Sequence, residues 1–323
     1  FLGAEIGAAI LRRELISLLE VVSPACLTPI SDEELIAGYH DMLAGGEGET
    51  GSGEEPDTEL LTGDDEWRYP EFRCIRETPN DDRLAATDPG VHPDLDSYLE
   101  RVRSVDVLRE TRALRGFTRV RDDVLTLSAG KALLRRNPQS GNQNWLPAYV
   151  VKGEGIHLEL DPARLTTWEG RPEVQARAQR IADQYGKLAA RRGSQDRGLP
   201  PRFVLLHTLG HLLVNELIFT CGYSSASLRE RLYVSTDAER EMAGLLIYTA
   251  AGDSEGTMGG LVRMARPANL RAVFASAISN ARWCSSDPVC MDAGEKGQGP
   301  DSCNLAACHG CALLPETSCE EFN

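Results

Sequence analysis

The chain has 323 residues, 41% of them hydrophobic, and a formal net charge of −15. That length supports two or three domains with ordinary buried cores and excludes a small scaffold stapled by disulfides. The apolar opening, residues 1–10, contains Glu5 and runs into Arg12 and Arg13, so neither a membrane span nor a signal peptide is expected. The sequence does not begin with Met and reads as part of something longer.

The negative charge is unevenly spread. Residues 44–66 hold nine carboxylates and no Lys or Arg, while 101–150 carry ten basic residues against four acids and 171–202 carry eight against three. Two basic blocks therefore survive inside an acidic chain, and the acidity alone does not exclude a nucleic-acid partner.

In chain order, 1–43 reads as helical, stopping before Pro24 and restarting near Ser31, whose hydroxyl faces Glu34 in a capping box. The Gly/Glu-rich stretch 44–66 has nothing to bury and is expected to be a disordered insertion. Residues 66–92 show no sustained period; Trp67, Tyr69, Phe72 and Ile75 suit a short strand or loop anchor. Residues 95–114 alternate apolar with charged, and 114–120 and 146–160 read as strands, the latter with a turn at 153–155. A helix over 172–192 carries Val174, Ala178, Ile181, Tyr185 and Leu188 on one face and Arg177, Arg180, Lys187 and Arg191 on another. Residues 203–220 are apolar nearly all round, a buried helix ended by Gly222. A buried strand at 245–250, the glycine-rich loop 252–260 and a helical stretch to 279 follow. The expected fold is mixed α+β. It divides into an N-terminal region 1–98, a basic middle region 99–200, and a mainly helical C-terminal domain 201–323 with a short sheet and a four-Cys zinc site.

Six of the nine cysteines, Cys284, Cys290, Cys303, Cys308, Cys311 and Cys319, fall in the last forty residues. Such clustering points to metal ligation in a reducing, cytoplasmic setting rather than to disulfides. Cys308 and Cys311 have the C-x2-C spacing that lets one turn offer two thiolates to one zinc, and Cys319 can return to the same ion. The fourth ligand comes from Cys290, Cys284 or Cys303, with His309 a weaker candidate. An all-thiolate site has no position open to water and is structural.

Other constellations are less productive. His207, His211 and Asn215 fall four apart on the apolar helix, joined by Thr208, but a zinc protease needs Glu where Thr208 stands. A ladder of satisfied hydrogen bonds explains them. His157 and Glu159 form an H-x-E with no nearby C-x2-C, so strand alternation accounts for them better than a zinc deaminase does. There is no P-loop and no nucleophile elbow. The loop at 252–260 could offer backbone N–H groups to a phosphate, but with Asp253 and Glu255 in it a tight strand-to-helix connection explains its glycines better.

The segments LLHTLGHLLVNEL, CGYSSASLRERLYV, GLLIYTAAGDSEGTMGGLVR and CSSDPVC…AACHGCALLPETSCE together resemble the zinc-binding domain associated with certain bacterial superfamily 2 helicases. With VLRETRALRGFTRV and WLPAYVVKGEGIHLEL the sequence is similar to the DrmB subunits of DISARM anti-phage defence systems, over about two thirds of the chain from residue 101. That resemblance implies a non-catalytic accessory subunit in a hetero-complex, a DrmA-like superfamily 2 helicase as partner, and DNA bound within the complex, with no membrane. It implies Zn2+ held by Cys308, Cys311, Cys319 and a cysteine of CSSDPVC, taken as Cys290 with Cys284 the alternative. Cys303 is set aside. The stripe Arg177, Arg180, Lys187 and Arg191, with the Arg-rich block 109–121, is the candidate nucleic-acid contact. The competing functions are an adaptor without DNA contact and a metal-dependent hydrolase, the latter disfavoured because its metal needs an open position.

Overall fold

The computed structural model describes residues 59–113, 148–192, 198–224, 226–249, 259–298, 302–315 and 317–321, with side chains from residue 67 onward. The helices expected within 1–43, most of the acidic segment, the strand expected at 114–120 and most of the glycine-rich loop lie outside these residues. Among the described residues the architecture is mixed α+β: seven helices and a five-stranded sheet.

The first element, α1 (Glu59–Arg76), corrects two expectations, since it extends into the acidic stretch and replaces the strand or loop expected around Trp67–Ile75. Tyr69, Phe72 and Ile75 recur every three residues, which is also helical spacing. Phe72 and Ile75 are buried while Trp67, off that face, is exposed.

Strands β1 (Leu84–Thr87), β2 (Leu99–Ala113), β3 (Ala148–Leu160), β4 (Leu228–Ser235) and β5 (Met242–Thr249) pair antiparallel in the order β1-β2-β3-β5-β4. The sheet thus draws strands from both sides of residue 200. All eight residues of β5 are buried, because both sheet faces are covered. Ala243, Leu245 and Ile247 point to one cluster and Met242, Leu246 and Tyr248 to the other, the period-2 alternation of a strand.

β3 runs unbroken through Gly153 and Gly155, where a turn was expected. A Cβ at 153 would lie 2.4 Å from the Thr249 carbonyl oxygen and one at 155 would lie 2.8 Å from that of Ile247. The glycines mark close backbone approach to β5, not chain reversal.

Two helices, α2 (Pro162–Glu169) and α3 (Pro172–Arg192), connect β3 to the core helix α4 (Pro201–Cys221). α4 is long and apolar enough to cross a membrane by length and composition, but Leu206, Leu213, Val214 and Leu217 pack into the core against the sheet. Each such side chain contributes roughly 1.5–3 kcal/mol. Gly222, at φ 74°, ends the helix in the left-handed conformation and returns its N–H to the Ile218 carbonyl. Arg202 pins the start of α4, donating to both carboxylate oxygens of Glu169 at 2.9 and 2.8 Å and to Glu241 at 2.9 Å. After β5 come α5 (Gly260–Met264), α6 (Pro267–Asn280) and α7 (Val289–Ala293). The other face of the sheet is closed by α1, whose Phe72 and Ile75 meet Val105, Tyr233 and Leu246.

Candidate metal centres

The segment leaving α6 turns at Cys284, whose carbonyl accepts from the Asp287 N–H, and enters α7, which carries Cys290. The chain returns at Cys308, whose carbonyl accepts from the N–H groups of Cys311 and Ala312, so the C-x2-C forms one tight turn. The sulfurs of Cys284, Cys290, Cys308 and Cys311 all lie within 4.8 Å of one another. Cys284 and Cys308 are 3.5 Å apart and Cys290 and Cys311 are 3.9 Å apart. Four sulfurs placed tetrahedrally about a zinc at about 2.3 Å would be about 3.8 Å from each other, so the donor set fits the ion with little movement.

Backbone and side-chain donors are aimed at these sulfurs. Gly310 N–H reaches Cys308 Sγ at 3.3 Å, Cys308 N–H reaches Cys311 Sγ at 3.3 Å, Ser286 N–H reaches Cys284 Sγ at 3.4 Å, and the Gln298 amide reaches Cys290 Sγ at 3.2 Å. Such donors favour thiolate over thiol. At Cys308 burial opposes ionisation, but the Gly310 N–H and the Cys284 thiol outweigh it and bring the pKa down to about 7. Burial pushes Cys290 the other way, up to about 12.

The sulfur cluster differs from the expected quartet by one member, since Cys284 lies with Cys290, Cys308 and Cys311, and Cys319 does not. After Cys311 the fully buried Leu314 draws the chain into the main core, and Cys319, also buried, lies beyond that anchor. Its sulfur lies 3.2 Å from His207 Nε2. Cys303 belongs to neither group, and His309 is exposed between its two cysteines.

Around Cys319 a second cluster gathers His207, His211 and Glu230. The two imidazoles come from successive turns of α4, and Glu230 comes from β4, the edge strand beneath it. Both Nε2 atoms lie 3.3 Å from Glu230 Oε1. The hydrogen-bond ladder expected on α4 is present in part, since His211 Nδ1–H donates to the Ala312 carbonyl at 2.9 Å. Glu230 and Cys319, remote in sequence, were not legible as members. Burial opposes charge on each group. Even so, Cys319 and Glu230 lift the His207 pKa to about 10, and the two imidazoles hold Glu230 down to about 2 and lower Cys319.

The remaining candidates have structural explanations. His157 and Glu159 are buried on β3, 3.2 Å apart, with Arg76 3.1 Å from the carboxylate. The amides at the start of α5, which would form a phosphate cradle, are already taken by the buried Glu154 carboxylate. It accepts from Leu261 N–H at 2.8 Å, from the Tyr223 hydroxyl at 2.7 Å and from Gly259 N–H. Arg177, Arg180, Lys187 and Arg191 are all exposed on α3, with Arg180 paired to Glu295. Of the Arg-rich block, Arg112 is paired with Glu110 at 2.7 Å, while Arg115 and Arg119 lie outside the described residues.

These features define a zinc-binding module, and the family model of the MrfA Zn-binding domain matches residues 209–312, a span that includes all four clustered cysteines. Zinc is thus the cofactor to which both the match and the four-sulfur geometry point. More particularly, the chain is similar to the DISARM protein DrmB of Bacillus paralicheniformis, 34% identical over 237 residues that cover 72% of this chain. Those residues span 41% of that relative's length.

Proposed function

We propose that the chain is an accessory, non-catalytic part of an anti-phage DISARM complex, docking on a DrmA-like superfamily 2 helicase and contributing contacts to DNA. The observation that carries this reading is the 34% identity to a DISARM DrmB over 72% of the chain. Three features support it. The candidate zinc ligands Cys284, Cys290, Cys308 and Cys311 are all thiols, and the ion they would hold has no position left for a substrate. Its chemistry would be that of a crosslink, tying the turn after α6 to the C-x2-C turn. Trp283, Val289 and Met291, 69%, 71% and 65% exposed beside two of those cysteines, offer an apolar edge to a protein partner. Finally, Arg177, Arg180, Lys187 and Arg191 are exposed on one helix, Arg180 beside Glu295, where they can neutralise phosphates. A cytoplasmic site of action goes with free thiols.

The test is co-purification of the chain with its helicase partner, followed by ATPase and DNA-binding assays. The chain alone should turn over neither ATP nor DNA. If the four basic residues each meet a phosphate, the log K against log salt slope on single strands includes about −3 from them, at roughly −0.7 per contact. Replacing all four by Ala should flatten the slope by that amount and weaken binding evenly across sequences. An unchanged slope assigns DNA to the helicase and leaves this chain as an adaptor. Failure to bind any helicase overturns the reading.

A further inference from the structure

We infer that His207, His211, Glu230 and Cys319 form a second zinc site, separate from the four-cysteine cluster. Its four donor atoms lie within 4.8 Å of one another although they come from α4, β4 and the C-terminal segment. Two imidazoles, one carboxylate and one thiol are all donor types that zinc takes, and four of them around one point make a full tetrahedral set.

Hydrogen bonding within the cluster is incomplete in a telling way. His211 is 3% exposed and its Nδ1–H is committed to the Ala312 carbonyl, which fixes the tautomer and leaves the Nε2 lone pair facing the cluster. That Nε2 lies 3.3 Å from Glu230 Oε1 without forming a well-aligned hydrogen bond, and Glu230 Oε2, on a carboxylate equally buried, has none. A ring nitrogen and a carboxylate oxygen left without well-formed hydrogen bonds in one buried cluster carry a cost that a bound cation removes. A ring N–H tied to a backbone carbonyl while the opposite nitrogen points at the ion is how ligating histidines are held.

The close approach is also built into the backbone. Gly210 lies on α4 between the two histidines, and a Cβ there would stand 2.4 Å from Glu230 Oε2. Access is available, since a cavity of about 160 Å³ is lined by His207 and His211 together with Tyr185, Phe203, Cys303 and Leu313. Bound zinc would clip the C-terminal segment to the core helix and to edge strand β4. The four-cysteine site cannot make that connection, because none of its ligands lies on the sheet or on α4.

The experiment is metal analysis and zinc-edge X-ray absorption on the purified chain after equilibration with zinc and removal of excess. The expected result is two zinc ions per chain, with about 2.5 sulfur neighbours near 2.3 Å and about 1.5 nitrogen or oxygen neighbours near 2.0 Å per ion on average. The double variant His207→Ala, Cys319→Ala should fall to one zinc with an all-sulfur shell. One zinc with only sulfur neighbours in the wild-type chain overturns the second site, as does a folded double variant that keeps two. One zinc with a mixed shell would support this site and reject the four-cysteine one. Because the absorption measurement uses the unmutated chain, it decides even if the variant does not fold.

Discussion

Glu154→Gln probes the junction between strand and helix without removing any apolar surface. The carboxylate is 1% exposed and accepts from three donors: Leu261 N–H at 2.8 Å and the Tyr223 hydroxyl at 2.7 Å on Oε1, and Gly259 N–H on Oε2. Gln keeps the shape but has one acceptor atom. Its least costly orientation preserves the two bonds on Oε1 and turns the NH2 toward Gly259. That forfeits one charge-assisted bond of roughly 1.5–3 kcal/mol and sets two donors against each other. A destabilisation of about 3 kcal/mol follows. Tyr223→Phe deletes one donor and leaves the carboxylate with two, so it should cost about 1–2 kcal/mol. Urea titration followed by far-UV circular dichroism reads both, and the expected order is Glu154→Gln worse than Tyr223→Phe. A Glu154→Gln midpoint within error of wild type would mean that the carboxylate does not organise the junction. The amides of α5 would then be free to accept an anion, and phosphate should protect the variant against urea.

Two further outcomes separate the readings of other residues. Burial holds His157 neutral, with its pKa below 6.5 despite the pull of Glu159, and with Arg103 and Arg76 adding to the effect. The unfolded chain therefore binds an extra proton as pH falls through about 6.5, and stability is lost in that direction. The wild type should lose about 1 kcal/mol more between pH 7 and 5.5 than His157→Gln does, read by urea midpoints at each pH; parallel profiles would refute the assignment. At the cysteine cluster, Cys284→Ser should lower zinc content and Cys303→Ser should not, measured by elemental analysis after mild chelator dialysis. Equal loss from both would make Cys303 a ligand.

Much of the fold was readable because its elements announce themselves locally. The face of α3 repeats at helical spacing, α4 ends at a glycine whose φ of 74° suits no other residue well, and β5 is a short apolar run. The errors share a physical origin. Gly153 and Gly155 signal both a turn and close strand approach, and only the pairing with Thr249 and Ile247 decides between them. Tyr69, Phe72 and Ile75 suit either a strand or one helix face until something is packed against them, and here it is the far side of the sheet, through Val105 and Leu246.

The sites divide in the same way. A C-x2-C spacing is a local instruction, so Cys308 and Cys311 were identifiable from the sequence. The choice among Cys284, Cys290 and Cys319 depended on where the chain goes after Cys311, and that is set by the burial of Leu314 in a core assembled from distant segments. The second cluster is further still from local legibility. His207 and His211 share a helix face, but Glu230 reaches them only through the packing of α4 on β4, and Cys319 only through the Leu314 anchor. Read on the helix alone, the two histidines make a polar ladder. Read with the sheet beneath them, they supply half of a tetrahedron, and the same glycine that weakens α4 in isolation, Gly210, is what lets the carboxylate approach.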